Sequence, residues 1–198
     1  KWSTHGGLLS PTHGPAVHRW QCNSRLPRRH PQCSHRRALG VRSTLSVEPG
    51  RSIVAAAAVT VYTVGTVKDI PGVRRYVSVD GGMSDNARTG LYGAEYMAIL
   101  ANRTSTEVEI QSRLVGKHCE TGDIIIRDLQ FPSDVKPGDL IATPATGAYG
   151  RSMASNYNHV PRPAVIAVKD GKARKILRRE SLVDLLALDV SEVGRELK

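Results

Sequence analysis

"SIVAAAAVTVYTVGTVKDI", residues 52–70, is rich in valine and threonine and contains no proline. Because β-branched residues suit a half-buried pleated strand better than a helix, this stretch predicts one or two β-strands. Similar short runs follow, each bounded by Pro, Gly or Asp: "RRYVSVDGG", "EVEIQSRLVG", "DIIIRDL", "DLIATP", "AVIAVKDG" and "ARKILRRE". Strands this short and frequent are typical of an antiparallel β-barrel or sandwich, so a mainly β fold is predicted.

Two segments favour helix instead. "LYGAEYMAILAN", residues 91–102, lacks the alternation of a strand. "SLVDLLALDV", residues 181–190, starts with Ser181 and Asp184, which form an S-x-x-D cap ahead of an apolar run.

Charge divides the chain of 198 residues. Residues 1–47 carry eight Lys or Arg and no Asp or Glu, whereas residues 48–198 carry twenty against eighteen, so that the net charge of +10 splits into +8 and +2. Residues 1–43 also lack helical or strand periodicity, so they are predicted to be irregular, disordered or loosely packed. Residues 44–190 are predicted to form the β-domain, and residues 191–198 a tail.

The composition of residues 1–43 admits three interpretations. His18, Cys22, Cys33 and His35 could be zinc ligands, but their spacing matches no common finger pattern. The run "RLPRRHPQCSHRR" could be a basic arm for RNA or DNA, which needs only phosphate neutralisation. The favoured interpretation is out-of-frame translation of a GC-rich gene, which yields Arg, Pro, His, Ser and Cys without acidic residues.

The cysteine count and hydropathy bear on location. Three cysteines cannot all pair, and no leader with a cleavage site opens the sequence, so a cytoplasmic protein is expected. The longest apolar run, "IVAAAAVTVY", is shorter than a membrane span. No membrane association is therefore predicted.

Two short motifs combine charged or aromatic residues with turn residues. "EPGR" places Glu48 and Arg51 at the two ends of a Pro-Gly turn, which a bare turn would also explain. In "DGGMSDNARTGLYGA", Arg88 and Tyr92 lie four residues apart and share a face if the stretch is helical. An arginine with a tyrosine suits a carboxylate ligand.

Two later motifs hold further candidates. "GKHCETGD" sets Cys119 beside Glu120, and "GAYGRSMASNYN" holds Tyr149 near two glycines in a polar loop. An unpaired cysteine more often packs as a small apolar residue, so Cys119 has a purely structural interpretation as well.

Together with "PRPA", these motifs resemble the C-terminal half of the diaminopimelate decarboxylases, fold-type III pyridoxal-phosphate enzymes of lysine biosynthesis. The resemblance covers roughly residues 44–190 and keeps the family's order of motifs. It implies an enzyme that converts meso-diaminopimelate to L-lysine and CO2, built as a homodimer from an N-terminal (β/α)8 barrel and a β-domain. It also implies pyridoxal 5'-phosphate as cofactor and no metal.

The resemblance assigns roles residue by residue. Glu48, Pro49, Gly50, Arg51 and Tyr149 would contact the cofactor, with the carboxylate of Glu48 at the pyridine nitrogen. A second set would bind substrate: Arg51, Arg88, Tyr92, Glu120 and Tyr149. Arg51, Arg88 and Tyr92 would hold a carboxylate of the substrate. Glu120 would pair with the ammonium group at the end of the substrate that does not react. Cys119 would return a proton to carbon after decarboxylation, reaching in from the neighbouring subunit.

One departure from the family matters. The family's Schiff-base lysine precedes "EPGR", where this chain has only the Arg-His-Pro segment. The chain alone is therefore expected to be an inactive fragment, produced by a frameshift or a faulty gene model. Three alternatives stay open: a non-catalytic β-domain that acts as an interaction module, a decarboxylase of another basic amino acid, and, as the weakest, a basic-armed nucleic-acid binder.

Overall fold

A computed structural model describes residues 49–190. By its contacts the chain divides into two units, Lys1–Ile53 and Val54–Lys198, and the strands belong to the second. The helices are α1 (Arg51–Val54), α2 (Arg88–Tyr92), α3 (Gly150–Met153) and α4 (Leu182–Leu185), and 3-10 turns span Ala55–Ala57 and Tyr157–His159. The strands are β1 (Val59–Ile70), β2 (Arg74–Val79), β3 (Ile99–Leu100), β4 (Glu109–Val115), β5 (Ile124–Pro132), β6 (Leu140–Pro144), β7 (Val165–Lys169) and β8 (Lys172–Leu177).

Six strands form one mixed sheet in the order β3-β6-β1-β2-β4-β5, and β7 and β8 form a separate hairpin. β1 pairs antiparallel with both β2 and β6, β3 with β6, and β4 with β5, whereas β2 and β4 pair in parallel. The two edge strands, β3 and β5, line one groove of about 270 Å³. The sheet therefore curls until its edges face each other.

Alternation along the strands explains which face is buried. In β1 the buried side chains are Tyr62 and Val64, and in β2 they are Val77 and Val79. Because successive side chains point to opposite faces, each pair lies on the concave side. Buried residues of β4, β5 and β6 complete the core, among them Leu114, Ile125, Ile126, Phe131 and Ile141.

At the end of the sheet where the β1–β2 turn lies, one buried carboxylate fixes the turn that precedes β6. Asp139, 2% exposed, accepts hydrogen bonds from Arg103 Nε at 3.0 Å and Nη2 at 2.8 Å. Asn102 Nδ2 donates to the same carboxylate at 3.2 Å. The guanidinium of Arg103 holds the pKa of Asp139 well below its usual range. Asp139 is thus an ionised anchor for the turn before β6.

The mainly β prediction is confirmed, and the six predicted strand motifs after residue 70 each contain a strand. The antiparallel description needs one refinement, since β2 and β4 are parallel neighbours. The start of the 52–70 stretch is helical and not extended, because the alanines at 55–57 have a high helix propensity and the β-branched valine and threonine dominate only from Val59.

The predicted helix over residues 91–102 is wrong. Gly93 adopts the left-handed conformation, with φ of 59°, and ends α2 directly after Tyr92. Ile99 and Leu100 pair instead with Ala142 and Ile141 of β6. Tertiary pairing at a sheet edge has overridden local propensity.

The second predicted helix exists but is short. Ser181 and Asp184 form the reciprocal cap that their spacing predicts, since the Ser181 Oγ accepts from the Asp184 N–H and the Asp184 carboxylate accepts from the Ser181 N–H. α4 ends at Leu185. In the described part of the chain, no helix has the length and apolarity needed to cross a membrane. The predictions for residues 1–43 and 191–198 lie outside the described residues.

Candidate functional site

The site forms where three strands that run in the same direction come to an end. β2 and β4 are parallel, and β6 runs the same way because both β2 and β6 are antiparallel to β1. The carboxyl ends of these three strands therefore lie at the same end of the sheet. The segments that follow them are the 80–86 loop with α2, the 116–123 loop, and the 145–160 segment, and these carry most of the predicted site residues.

A buried carboxylate fastens the first two loops together. Asp123, 3% exposed, accepts the backbone N–H of Met83 at 2.6 Å and that of His118 at 2.7 Å. Backbone bonds add to this, since Lys117 N donates to Gly81 O at 3.0 Å. A carboxylate that accepts two amide protons makes strong, charge-assisted hydrogen bonds. The loops consequently hold one relative position.

Glycine is required where these loops pass the carboxylate. An ideal Cβ on Gly116 would lie 2.2 Å from an Asp123 carboxylate oxygen, and one on Gly82 would lie 2.5 Å from the other. Real Cβ atoms do not approach oxygen so closely. The second glycine of "DGG" and the glycine of "GKHC" are thus explained by close packing around Asp123.

Further along the 80–86 loop, Asp85 joins the loop to the sheet. Tyr62 donates its hydroxyl to Asp85 Oδ2 at 2.6 Å, and Gly82 N donates to Oδ1 at 2.7 Å. Burial raises the pKa of Asp85, opposed by the Tyr62 hydrogen bond. Burial, with the nearby Asp85 charge, raises the pKa of Tyr62 well above its usual value. The hydrogen bond between the two side chains holds the 80–86 loop against β1, so this pair has a structural role.

The side chains of Arg88, Tyr92 and Tyr149 lie close to one another at this end of the sheet. Arg88 and Tyr92 are on one face of α2, and the guanidinium carbon of Arg88 lies 5.3 Å from the centroid of the Tyr92 ring. It also lies 6.0 Å from the centroid of the Tyr149 ring, which comes from the 145–160 segment. Both distances suit a cation over an aromatic face. The predicted shared face of Arg88 and Tyr92 is therefore present.

Tyr149 sits in an unusual backbone conformation. Its φ of 66° is left-handed, although it is not glycine, and its side chain is 44% exposed. Such a conformation costs roughly 1–3 kcal/mol and persists where the surroundings hold it. Here it turns the chain into α3, of which Tyr149 is the N-cap, and leaves the ring beside Arg88.

Cys119 and Glu120 stand exposed in the 116–123 loop. This exposure does not fit the structural interpretation of Cys119 as a small apolar residue packed in the fold. Glu120 accepts a hydrogen bond from the hydroxyl of Tyr157. The Tyr157 ring in turn meets the ring of His118 edge to face, with centroids 5.5 Å apart and planes at 75°.

The sequence did not single out Tyr157, His118 or Asp123, although all three lie in quoted motifs. Their roles depend on contacts between loops, and no local pattern encodes such contacts. Glu48 lies outside the described residues, and Pro49, Gly50 and Arg51 belong to the other contact unit. Across residues 49–190 no group of three or more His, Cys, Asp or Glu side chains is arranged to hold a metal ion.

The comparisons with known proteins agree with this architecture. Residues 40–147 match the family model described as pyridoxal-dependent decarboxylase, C-terminal sheet domain. The chain belongs to this family. The resemblance found in the sequence motifs is thereby confirmed, and a family named for its dependence on pyridoxal implies pyridoxal phosphate as the cofactor.

Among its relatives, the diaminopimelate decarboxylase of Mycobacterium tuberculosis is 58% identical over 150 residues, which are 74% of this chain and 34% of that protein. The Staphylococcus aureus diaminopimelate decarboxylase is 54% identical over 145 residues, 73% of this chain and 34% of that protein. The chain thus spans about a third of the length of the curated relatives it matches.

A solved structure has the same fold. The crystal structure of Helicobacter pylori diaminopimelate decarboxylase complexed with L-lysine superposes with a TM-score of 0.67 at 38% identity, covering 80% of this chain and 38% of that one. The curled, mixed sheet is accordingly the sheet domain of the pyridoxal-dependent decarboxylases.

Proposed function

We propose that this chain supplies the sheet-domain part of a diaminopimelate decarboxylase, which converts meso-diaminopimelate to L-lysine and CO2. The observation that carries the proposal is the convergence of Arg88, Tyr92 and Tyr149 beside the loop that exposes Cys119 and Glu120. Relatives that are 51–58% identical and bear this name support the choice of substrate.

The residues present fit the cofactor that the family implies. Arg88 Nε is buried and donates to no residue of the described chain, and the exposed Tyr149 ring lies beside this cation. An exposed aromatic ring suits an aromatic cofactor, and the guanidinium beside it suits a carboxylate of the substrate bound next to that cofactor. Tyr149 would contact pyridoxal phosphate, and the cofactor contacts of Glu48, Pro49, Gly50 and Arg51 stay predictions of the sequence resemblance. When bound, this group accepts the electron pair left on carbon as CO2 departs.

The remaining side chains would bind the substrate by charge. Arg88 would hold a substrate carboxylate with its planar guanidinium fork, and Tyr92 would add its hydroxyl. Glu120 would pair with the ammonium at the end of the substrate that does not react. Two charged contacts at a distance from the reacting carbon would fix which carboxylate is lost.

Cys119 would complete the reaction as the proton donor. The C–C bond to the carboxylate breaks, CO2 leaves, and the thiol proton of Cys119 forms the new C–H bond. The thiolate then takes a proton from solvent. The exposure of Cys119 supports a homodimer in which this side chain reaches a neighbouring subunit's site.

The proposal is tested in a completed enzyme, in which residues 44–190 of this chain are joined to the part of the Mycobacterium tuberculosis relative that this chain does not match. We expect release of CO2 from meso-diaminopimelate that depends on added pyridoxal phosphate. Ornithine, arginine and lysine serve as competing substrates. Preference for any of these would contradict the choice of substrate, and a folded, cofactor-loaded enzyme that releases no CO2 from any would support the non-catalytic module instead.

A further inference from the structure

Tyr157 is a candidate that the proposed mechanism does not use. It begins the 3-10 turn Tyr157–His159, far in sequence from the 116–123 loop, yet its hydroxyl donates directly to Glu120 Oε1. A glutamate at the surface of a loop samples several rotamers, and ordering such a side chain has an entropic cost. The contact with Tyr157 offers a way to order it beforehand.

The ring of His118 packs against the Tyr157 ring and helps to hold it in place. His118, only 9% exposed, presents its ring to the ring of Tyr157 edge to face. The Nε2 atom of His118 lies 2.9 Å from Ser84 Oγ, and Ser84 O accepts the backbone N–H of Ser155 at 2.8 Å. One connected set of contacts thus joins all three loops of the site and ends at the Glu120 carboxylate.

We propose that Tyr157 is a positioning residue that orients the Glu120 carboxylate toward the distal ammonium of the substrate and thereby selects substrates that carry this ammonium. The inference rests on the proposed function, since it deepens the role given there to Glu120. Tyr157 occupies one carboxylate oxygen, which leaves the other oxygen for the ligand.

The ionisation of Tyr157 supports its role as the hydrogen-bond donor and that of Glu120 as the acceptor. The hydrogen bond to Glu120, with a smaller effect of the Cys119 charge, raises the pKa of Tyr157. Tyr157 therefore remains the protonated donor of this hydrogen bond at neutral pH. A charged acceptor with one fixed hydrogen bond is better oriented toward a cation than one that rotates freely.

The first test uses the full chain and no substrate. Subtracting the ultraviolet phenol titration of Tyr157→Phe from that of the wild type gives the titration of Tyr157, which we expect above the ordinary value of 10.0. The same subtraction in a Glu120→Gln background should give a lower midpoint. Cys119 and His118 are present in all four proteins and cannot cause the difference. Equal midpoints in the two backgrounds would overturn the inference.

The second test uses the completed enzyme and two competitive ligands. L-Lysine keeps the ammonium of the end that does not react, and 6-aminohexanoate has the same chain without it. We expect Tyr157→Phe to weaken L-lysine by roughly tenfold and 6-aminohexanoate by much less, as for loss of one hydrogen bond to a charged group. A merely structural role would weaken both equally, and that outcome would overturn the inference.

Two controls complete the second test. Tyr76→Phe makes the same change in β2, away from the three loops, and should leave both inhibition constants unchanged. Glu120→Gln should remove most of the discrimination, and adding Tyr157→Phe to it should remove little more. Independent effects of the two substitutions would refute the positioning role. An enzyme without activity would refute the proposed function, while the phenol titration would still decide whether Tyr157 orients Glu120.

Discussion

Replacing Asp123 with asparagine should destabilise the domain strongly although the side-chain shape is kept. The Asp123 carboxylate is 3% exposed and accepts two backbone N–H groups, from Met83 at 2.6 Å and His118 at 2.7 Å. An amide can accept only one of them, and its NH2 group then faces the other donor. Losing one charge-assisted hydrogen bond and leaving a buried N–H unpaired together costs about 2–4 kcal/mol.

Urea unfolding of the full chain measures this loss. For a domain with an ordinary stability of about 5–15 kcal/mol, such a change moves the midpoint visibly while the slope stays constant. Asp128→Asn is the matched control, because Asp128 pairs with Arg74 at 2.6 Å but is 64% exposed, and solvent screens such a pair. If the two variants unfold at the same urea concentration, Asp123 does not fasten the loops and our account of the site is refuted.

Three further predictions concern single side chains. Tyr62→Phe should destabilise the domain by about 1–3 kcal/mol in urea, because Asp85 Oδ2 loses its buried donor; unchanged stability would contradict this. Arg162, through its backbone N–H and its side chain, lowers the pKa of Glu180 from its ordinary 4.5 to about 2. The contribution of ionised Glu180 to the stability of the domain is therefore complete above about pH 4.5 and is lost as pH falls toward 2. Glu180→Gln should therefore flatten the pH dependence of the free energy of unfolding in this window. If the variant and the wild type lose stability identically between pH 4.5 and 2, the ion pair of Arg162 with Glu180 does not stabilise the domain. In the completed enzyme, Cys119→Ala should lower turnover per bound cofactor by roughly a hundredfold or more while cofactor absorbance persists; unchanged turnover would remove Cys119 from the mechanism.

Much of the strand content followed from local pattern. Alternation in "EVEIQSRLVG" predicted a half-buried strand, and Ser112 and Leu114 of β4 are indeed buried while their neighbours are not. The Ser181–Asp184 cap was equally local and equally correct. Such features depend on residues within a few positions of each other, and a single sequence displays them directly.

The pairing of distant strands could not be read in this way. Nothing local in "RRYVSVDGG" or "EVEIQSRLVG" indicates that β2 and β4 pair in parallel, since the same alternation suits either direction. The contact of Tyr157 with Glu120 depends on that pairing, as does the capture of Met83 N by Asp123. Apart from the shared helix face of Arg88 and Tyr92, the contacts among the site residues therefore depend on the assembled sheet, and the motifs do not encode them.

The common direction of β2, β4 and β6 also determines what lies at the other end of the sheet. Residues 71–73, which join β1 to β2, are all exposed there, and Gly72 has open space where a Cβ would be. Backbone at an exposed turn tolerates insertion far better than paired backbone does. This turn is consequently a place to attach a fluorophore or an affinity tag, from which a reporter could follow the domain while the loops that would handle substrate remain untouched.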